Sequence, residues 1–371
     1  MNIALFSIGV LRNHKESARI TTTSLAKSLT NKGHKVIIIT EQAEGLPVSE
    51  QIGDVLIYRP YKFPMFSKLF SHAFALRKIQ KELNIKFDII HSFSATPLFV
   101  ISSRFAKLFA PQAKLIHTLK SYSKNKFSNY FYPLLNFVDK ITIPTQVFSN
   151  KLKYVKKKKI NLIYSPISLN KFYPQSKNEI KKRYNYQNKK IIFYYGAVWE
   201  NKGINILLRS IPKLIEKNSD LLLICAPRYN KIEEQRKLVT ELGLQNSVQF
   251  ITGDIPIEEY VNLADVIALP YKNLVGTEGN PSCMLEAMAC KTLVVTTDLP
   301  ELREIVRDCV IMAKPGDVNS LVDYLNYALH NDFSEMIERA YQKSLQFDLD
   351  KISDQFLRLY RETKGLIPFS K

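Results

Sequence analysis

Several features that usually announce a function are missing from this chain. No uncharged apolar run reaches the roughly eighteen residues that a membrane span requires. Only four cysteines occur in 371 residues: Cys225, Cys283, Cys290 and Cys309. They form no CxxC pair and sit at no histidine-rich spacing, so small buried residues in a reducing compartment fit them better than a metal centre or a disulfide framework. GxGxxG, GxxxxGK[ST] and HExxH are all absent, which counts against dinucleotide, P-loop and zinc-protease readings. Negative charge is also scarce, with 34 Asp+Glu against 53 Lys+Arg and a net charge of +19. Such an excess favours polyanionic neighbours: nucleic acid, an anionic membrane surface or phosphorylated substrates.

What is present is a regular alternation. Short apolar runs ("NIALFSI", "KVIIIT", "VLIYR", "FDIIHSF", "AKLIHTL", "DKITIPT") are separated by helical patterns, and the opening run reads as a buried strand rather than a signal peptide. Strands that are apolar throughout belong to parallel sheets covered on both faces. After "YVKKKKINLIYSPIS" the pattern restarts with "KKIIFYYGAV" and "DLLLICAP" and runs on to "TLVVTTD". Pro166 and Pro174 discourage a helix across the link. The expected fold class is therefore α/β, with two facing Rossmann-like doubly wound parallel-sheet domains and an interdomain cleft. Residues 1–166, completed by a C-terminal helix at 346–371, form the first domain, and 167–345 the second. Ligands of such sheets gather outside the carboxyl ends of the strands.

One stretch there carries chemistry: "GTEGNPSCMLEAMACKTLVVTTD" (276–298). Asn280 reads as an N-cap and Pro281 as the first helical residue. The free amides of that turn, with the helix dipole, suit a phosphate. Ser282 and Glu286 share a helical face, and a carboxylate one turn beyond a phosphate suits a ribose hydroxyl. Glu278, ahead of the helix, faces what lies past the phosphates.

"EGNPSCMLEAMAC" resembles the E-x7-E signature of the retaining family 4 (group 1) glycosyltransferases, whose fold is GT-B. "GAVWENKGINILL", "VQFITGDIPIEEYVNLADVIALPY" and "TTDLPELREIV" extend the likeness through the second half, and "LAKSLTNKGHKVIIIT", "FDIIHSF" and "VDKITIPTQ" continue it more weakly in the first. The resemblance implies a metal-independent transferase using a UDP- or GDP-sugar, with no cofactor, a donor-binding second domain and an acceptor-binding first. It makes Glu286 the ribose ligand and places Glu278 beside the donor sugar. Gly196, Gly279, Asn280, Ser282, Cys283 and Met284 would line the diphosphate, and Lys202 would neutralise the leaving group.

The chain departs from the pattern in several places. The family's Gly-Arg arginine is Ala197, for which Arg228 is the candidate replacement. The Gly-Gly loop is "RNHKESAR", where Lys15 and Arg19 are candidates to meet phosphates. The glycine after "AMAC" is Lys291, and an active-site His is replaced by Lys120. His91, after "FDII", is a candidate for the acceptor side. A glycan or lipid-linked acceptor fits the basic charge, with the stretch at 59–78 as a contact to an anionic membrane and the protein on its cytoplasmic side. No nucleic-acid partner is expected. A nucleotide-sugar epimerase or hydrolase of the same fold, or an inactive polyanion-binding protein, are the alternatives; "DLD" (348–350) reads as helix capping.

Overall fold

The computed structural model describes residues 1–7, 17–42, 44–60, 68–121, 126–228 and 232–367, without the side chains of 17–20, 68–69 and 126–129. The chain forms two compact units. One comprises Met1–Pro166, Val275–Gly279 and Leu349–Lys371, the other Ile167–Leu274 and Asn280–Asp348.

The N-terminal unit is built on strands β1 (Asn2–Phe6), β2 (Lys35–Ile39), β3 (Ser49–Ile52), β4 (Val55–Tyr58), β5 (Ile89–Ser94), β6 (Lys114–Leu119), β7 (Lys140–Ile143) and β8 (Ile160–Leu162), in the order β3-β4-β2-β1-β5-β6-β7-β8. Helices α1 (Ser17–Asn31), α2 (Lys68–Glu82), α3 (Phe99–Ala106) and α12 (Leu349–Lys364) cover it. Side-chain alternation explains why its strands are apolar throughout. Ala4 and Phe6 of β1 join a core with Ala73 and Leu76 of α2 and Val100 of α3. Ile3 and Leu5 join another with Leu25 and Leu29 of α1 and Ile352, Phe356 and Tyr360 of α12. The edge pair β3–β4 is antiparallel. Its outer strand "SEQI" is polar and half exposed, so no apolar run betrayed it.

The second unit orders its strands β11-β10-β9-β12-β13-β14, all parallel. They are β9 (Lys190–Gly196), β10 (Leu221–Pro227), β11 (Val248–Phe250), β12 (Val266–Leu269), β13 (Leu293–Thr297) and β14 (Ile311–Ala313). Around them lie α4 (Lys177–Arg183), α5 (Ile204–Ile215), α6 (Glu233–Glu241), α7 (Ile257–Leu263), α8 (Ser282–Ala289), α9 (Pro300–Val306), α10 (Val318–His330) and α11 (Ser334–Ser344). Leu207, Leu208 and Ile211 of α5 and Leu321 and Leu325 of α10 pack with Ile192 and Tyr194 of β9.

Three aspartates pin these sheets at the amino ends of strands. Asp88, Asp139 and Asp265 accept the backbone N–H of Asn2, Leu115 and Ile191 at 2.8, 2.7 and 2.8 Å. Each returns its own N–H to the same partner's carbonyl, at 2.8, 2.8 and 2.9 Å. Asp265 also pairs with Lys181 and Lys177 of α4, and Asp88 with Lys364 of α12. In the "DLD" stretch, Asp350 accepts the Ser28 hydroxyl of α1 at 2.7 Å from the first turn of α12.

Polar groups are buried with partners in the N-terminal unit. Both ring nitrogens of His91 are engaged, by Tyr360 Oη at 2.6 Å and Thr118 Oγ1 at 2.7 Å, and the residue is fully buried. It is a core histidine joining the sheet to α12, with no surface left for an acceptor. Arg59 is equally buried and pairs with Glu50 at 2.9 Å, so it faces no membrane. Residues 61–67 of the expected membrane stretch lie outside the described residues.

Burial moves His72 down to about 4, His117 down to about 3 and His91 well below its usual value. A histidine depressed on folding adds stability that is complete above its unfolded value of about 6.5 and is lost as pH falls toward the folded one. Each contributes about 1.4 kcal/mol per pH unit, so together they should remove up to about 4 kcal/mol per unit between about pH 6 and 4. Urea denaturation at several pH values checks this, and a midpoint that stays flat from neutrality to pH 5 would contradict it.

Candidate functional site

In the second unit the sheet brings a cluster to the first turns of α8. Strand β9 ends at Gly196, whose φ of +136° suits a glycine. Gly196 O accepts the Arg228 N–H at 2.8 Å, so the ends of β9 and β10 stay paired. A short 3-10 turn, Glu200–Lys202, then leads into α5 through Gly203 at φ +74°. A Cβ at Gly203 would lie 1.8 Å from Pro270 O, just past β12, so only glycine lets the turn dock there. Lys272 secures it from the other side by donating its N–H to Asn201 O at 2.9 Å and pairing with Glu200 at 2.6 Å. Lys202 Nζ is thereby held 4.8 Å from the centroid of the Tyr271 ring.

Tyr271 is fully buried and its hydroxyl contacts Cys283 Sγ at 3.1 Å, in the first turn of α8. Burial pushes the Cys283 thiol up, while the charges of Lys202 and Arg228 and the Tyr271 contact pull it back. Lys202 thus stands by the ring whose hydroxyl meets the first turn of α8. Ala197 stands buried where the family's arginine would be, its carbonyl taken by Tyr194 Oη at 2.6 Å.

The helix begins one residue later than its sequence suggested. Its first residue is Ser282 and its cap is Pro281, at φ −59° and ψ 122°, while Asn280 is fully buried ahead of it. Proline's fixed φ is as compatible with this extended residue as with the first helical position. Met284 leaves the phosphate set, because its N–H already donates to Pro281 O at 3.1 Å and its side chain is fully buried.

Glu286 has a partner that the sequence reading missed. The single Tyr195 Oη proton is shared between Cys283 O at 2.7 Å and Glu286 Oε2 at 3.1 Å, bracing the first two turns of α8 from β9. Burial, then the Glu286 carboxylate, pushes the Tyr195 phenol well above its usual range, so it stays a donor. The signal was in "FYYG": alternation sends Tyr194 into the core with α5 and its neighbour to the opposite face.

Glu278 and Gly279 belong to the other unit. Glu278 forms an antiparallel backbone bridge with Ser121, and a Cβ on Gly279 would come within 3.0 Å of Phe148 and 3.1 Å of Pro144. Lys120, next to that bridge, is 6% exposed and sits 5.2 Å from the Phe93 ring centroid. Burial moves its ammonium down to about 8, against the opposing pull of Glu278. The structure thus joins Lys120 to Glu278, and Lys202, Arg228 and Glu286 to the start of α8. Arg19 is in α1 with its side chain outside the described residues, and Lys15 lies outside them entirely. Among the described residues, no three His, Cys, Asp or Glu side chains group as metal ligands.

Two family models account for most of the chain. "Glycosyltransferase Family 4" matches residues 18–171 and "Glycosyl transferases group 1" residues 175–345. The chain belongs to the group 1 glycosyltransferases. An uncharacterized glycosyltransferase of Methanocaldococcus jannaschii is 25% identical over 91% of this chain and 92% of its own. The GPI3 subunit of the Saccharomyces cerevisiae phosphatidylinositol N-acetylglucosaminyltransferase is 24% identical, over 82% and 70%. Among solved structures, HepE of Anabaena, in complex with UDP and glucose, superposes with a TM-score of 0.78 at 15% identity, covering 97% of this glycosyltransferase and 99% of HepE. The fold is GT-B.

Gly203→Ala tests the turn that carries Lys202. The left-handed φ and the contact with a backbone oxygen together should cost about 2–5 kcal/mol of the second unit's stability. Denaturant unfolding measures it; a loss below about 1 kcal/mol would mean that the turn can dock elsewhere.

Proposed function

We propose that this glycosyltransferase moves a hexose from a UDP- or GDP-sugar to a lipid-linked or glycan acceptor, with retention at the anomeric carbon and without a metal ion. The observation that carries the reading is Lys202 over the Tyr271 ring, whose hydroxyl meets Cys283 in the first turn of α8, with Glu286 one turn further on. Glycosyl transfer separates charge: the sugar gains oxocarbenium character as negative charge grows on the leaving diphosphate. Two fixed cations and a helix N-terminus aimed at that charge stabilise the transition state more than the ground state. Arg228 here supplies the cation that Ala197 does not. Glu286 takes a ribose hydroxyl, and Tyr195 fixes the carboxylate that accepts it.

Glu278 and Lys120 serve the sugar and the acceptor. HepE is described with UDP and the yeast relative acts on phosphatidylinositol, which supports a nucleotide-sugar donor and a lipid-linked acceptor. Among the described residues no helix is long and apolar enough to cross a membrane. Such an acceptor would be met from the cytoplasmic face of the bilayer. A thermal-shift screen of nucleotide sugars tests the donor directly, since a ligand of the folded state raises the melting temperature. Turnover on a lipid-linked acceptor should persist in EDTA, and its loss on chelation would end the metal-free mechanism.

Glu286→Ala should weaken donor binding by about 1.5–3 kcal/mol and Tyr195→Phe by about 1 kcal/mol, with the double variant no weaker than Glu286→Ala. Titration calorimetry of the folded variants decides it, and an unchanged donor dissociation constant in Glu286→Ala would remove that residue from the site.

Lys120 is charged below about pH 8 and neutral above it. If its charge holds a phosphate, turnover should fall as pH rises through about 8, and Lys120→Met should lower turnover and abolish that limb. A pH profile identical in the two proteins would make Lys120 a packing residue.

A further inference from the structure

The lysine run at 156–159 has no part in the donor cluster. It occupies the 3-10 turn Lys157–Lys159, which leads into the edge strand β8. That turn is tied to the end of another 3-10 segment, Lys126–Phe137. Lys159 Nζ donates to Asn136 O and Val138 O at 2.6 Å each, and Asn136 Nδ2 donates to Tyr154 O at 2.8 Å. These bonds bring two kinds of side chain to one surface. Lys153, Lys156, Lys157 and Lys158 are exposed, and among the described residues none of them sits in an ion pair. Tyr154, among those lysines, and Phe137, next to Asn136, stand 77% and 58% exposed.

Neither group is explained by folding. Like charges this close repel one another: after burial and against Asp139, the neighbours Lys156, Lys158 and Lys140 help to pull Lys159 below its ordinary value. Exposed rings of this size gain nothing from water. Both costs are relieved at the surface of an anionic bilayer, where lysines meet lipid phosphates and aromatic rings enter the headgroup layer. Phe137 ends a 3-10 segment and Tyr154 sits in the turn ahead of Lys157–Lys159, beside an edge strand and not across a sheet face where a stacking platform for bases would need them.

We propose that the face formed by Phe137, Tyr154 and the lysines at 153–158 docks the N-terminal unit on an anionic lipid bilayer. Of the 59–78 stretch, Arg59 is buried against Glu50 and takes no part in such a contact. The inference rests on the proposed lipid-linked acceptor for its purpose, but not for the binding itself.

The experiment is co-sedimentation of the whole chain with phosphatidylcholine vesicles, with and without phosphatidylglycerol, at low and high salt. Partition should require the anionic lipid and weaken with salt. The triple variant K156Q/K157Q/K158Q should bind about a hundredfold less, at about 1 kcal/mol per lysine. F137S/Y154S should lose at least about fivefold on vesicles while keeping its affinity for heparin. Equal binding to neutral and anionic vesicles would overturn the proposal. So would full vesicle binding by F137S/Y154S, or binding to single-stranded RNA that is lost with the same rings. All changed side chains are exposed, and circular dichroism verifies folding. The donor thermal shift, measured on the same variants without vesicles, should not move. Failure of the donor reading would appear there, and failure of this one only in the partition.

Discussion

Asp88, Asp139 and Asp265 each stand just ahead of a strand and trade hydrogen bonds with a residue near the start of the neighbouring strand. This reciprocal hook fixes register in a parallel sheet, where no hairpin turn can do so. A slip of one residue would send every side chain of the strand to the opposite face. Tyr195 would then point into the core with α5 and Tyr194 toward α8, and Glu286 would lose its brace. The hooks sit at the amino ends, so the carboxyl ends are free to carry loops whose shape answers to a ligand.

All three hooks also recruit charge from helices, Asp139 from Lys107 at the C-cap of α3, 4.0 Å away. Lys177 and Lys181 bind Asp265, and Lys364 binds Asp88. Part of the large positive excess is thereby structural. The remainder falls into groups with different surroundings: Lys202 and Arg228 act at a helix N-terminus, Lys120 is buried beside Glu278, and the lysines at 153–158 stand in water. Equal formal charges have different value in these places, because a half-buried cation acts across low dielectric while exposed ones are screened within about 10 Å.

The fold was legible because both faces of each sheet are covered, which makes strands uniformly apolar and separates them by amphipathic helices. Where that rule lapses, the sequence is silent: "SEQI" is an edge strand with one solvent face and no apolar signature. The second half of the E-x7-E stretch was legible as a helix, but its starting residue was not, since Pro281 suits either side of the boundary. Met284 could not be excluded from the phosphate set until its N–H was seen bonded to Pro281 O. His91 misled for a different reason. A histidine near a strand's end looks the same in sequence whether it faces a ligand or a tyrosine 269 residues away.

Long-range pairing of that kind also explains why the chain returns to its first unit. The Tyr360 phenol meets His91, and Phe356 packs 5.2 Å from the same ring, so α12 is the cover of a polar patch in the sheet as well as an apolar lid. The phenol must remain protonated and the imidazole neutral for this contact to hold, and burial enforces both, raising one group and lowering the other. Tyr195 and Glu286 follow the opposite logic. There burial keeps the proton on the phenol, which orients the Glu286 side chain as a donor. A neutral donor holds an anion in place while leaving its charge available, which a lysine or arginine at position 195 could not do. The same residue type thus ties a helix to a sheet in both units, through an imidazole in one and a glutamate in the other.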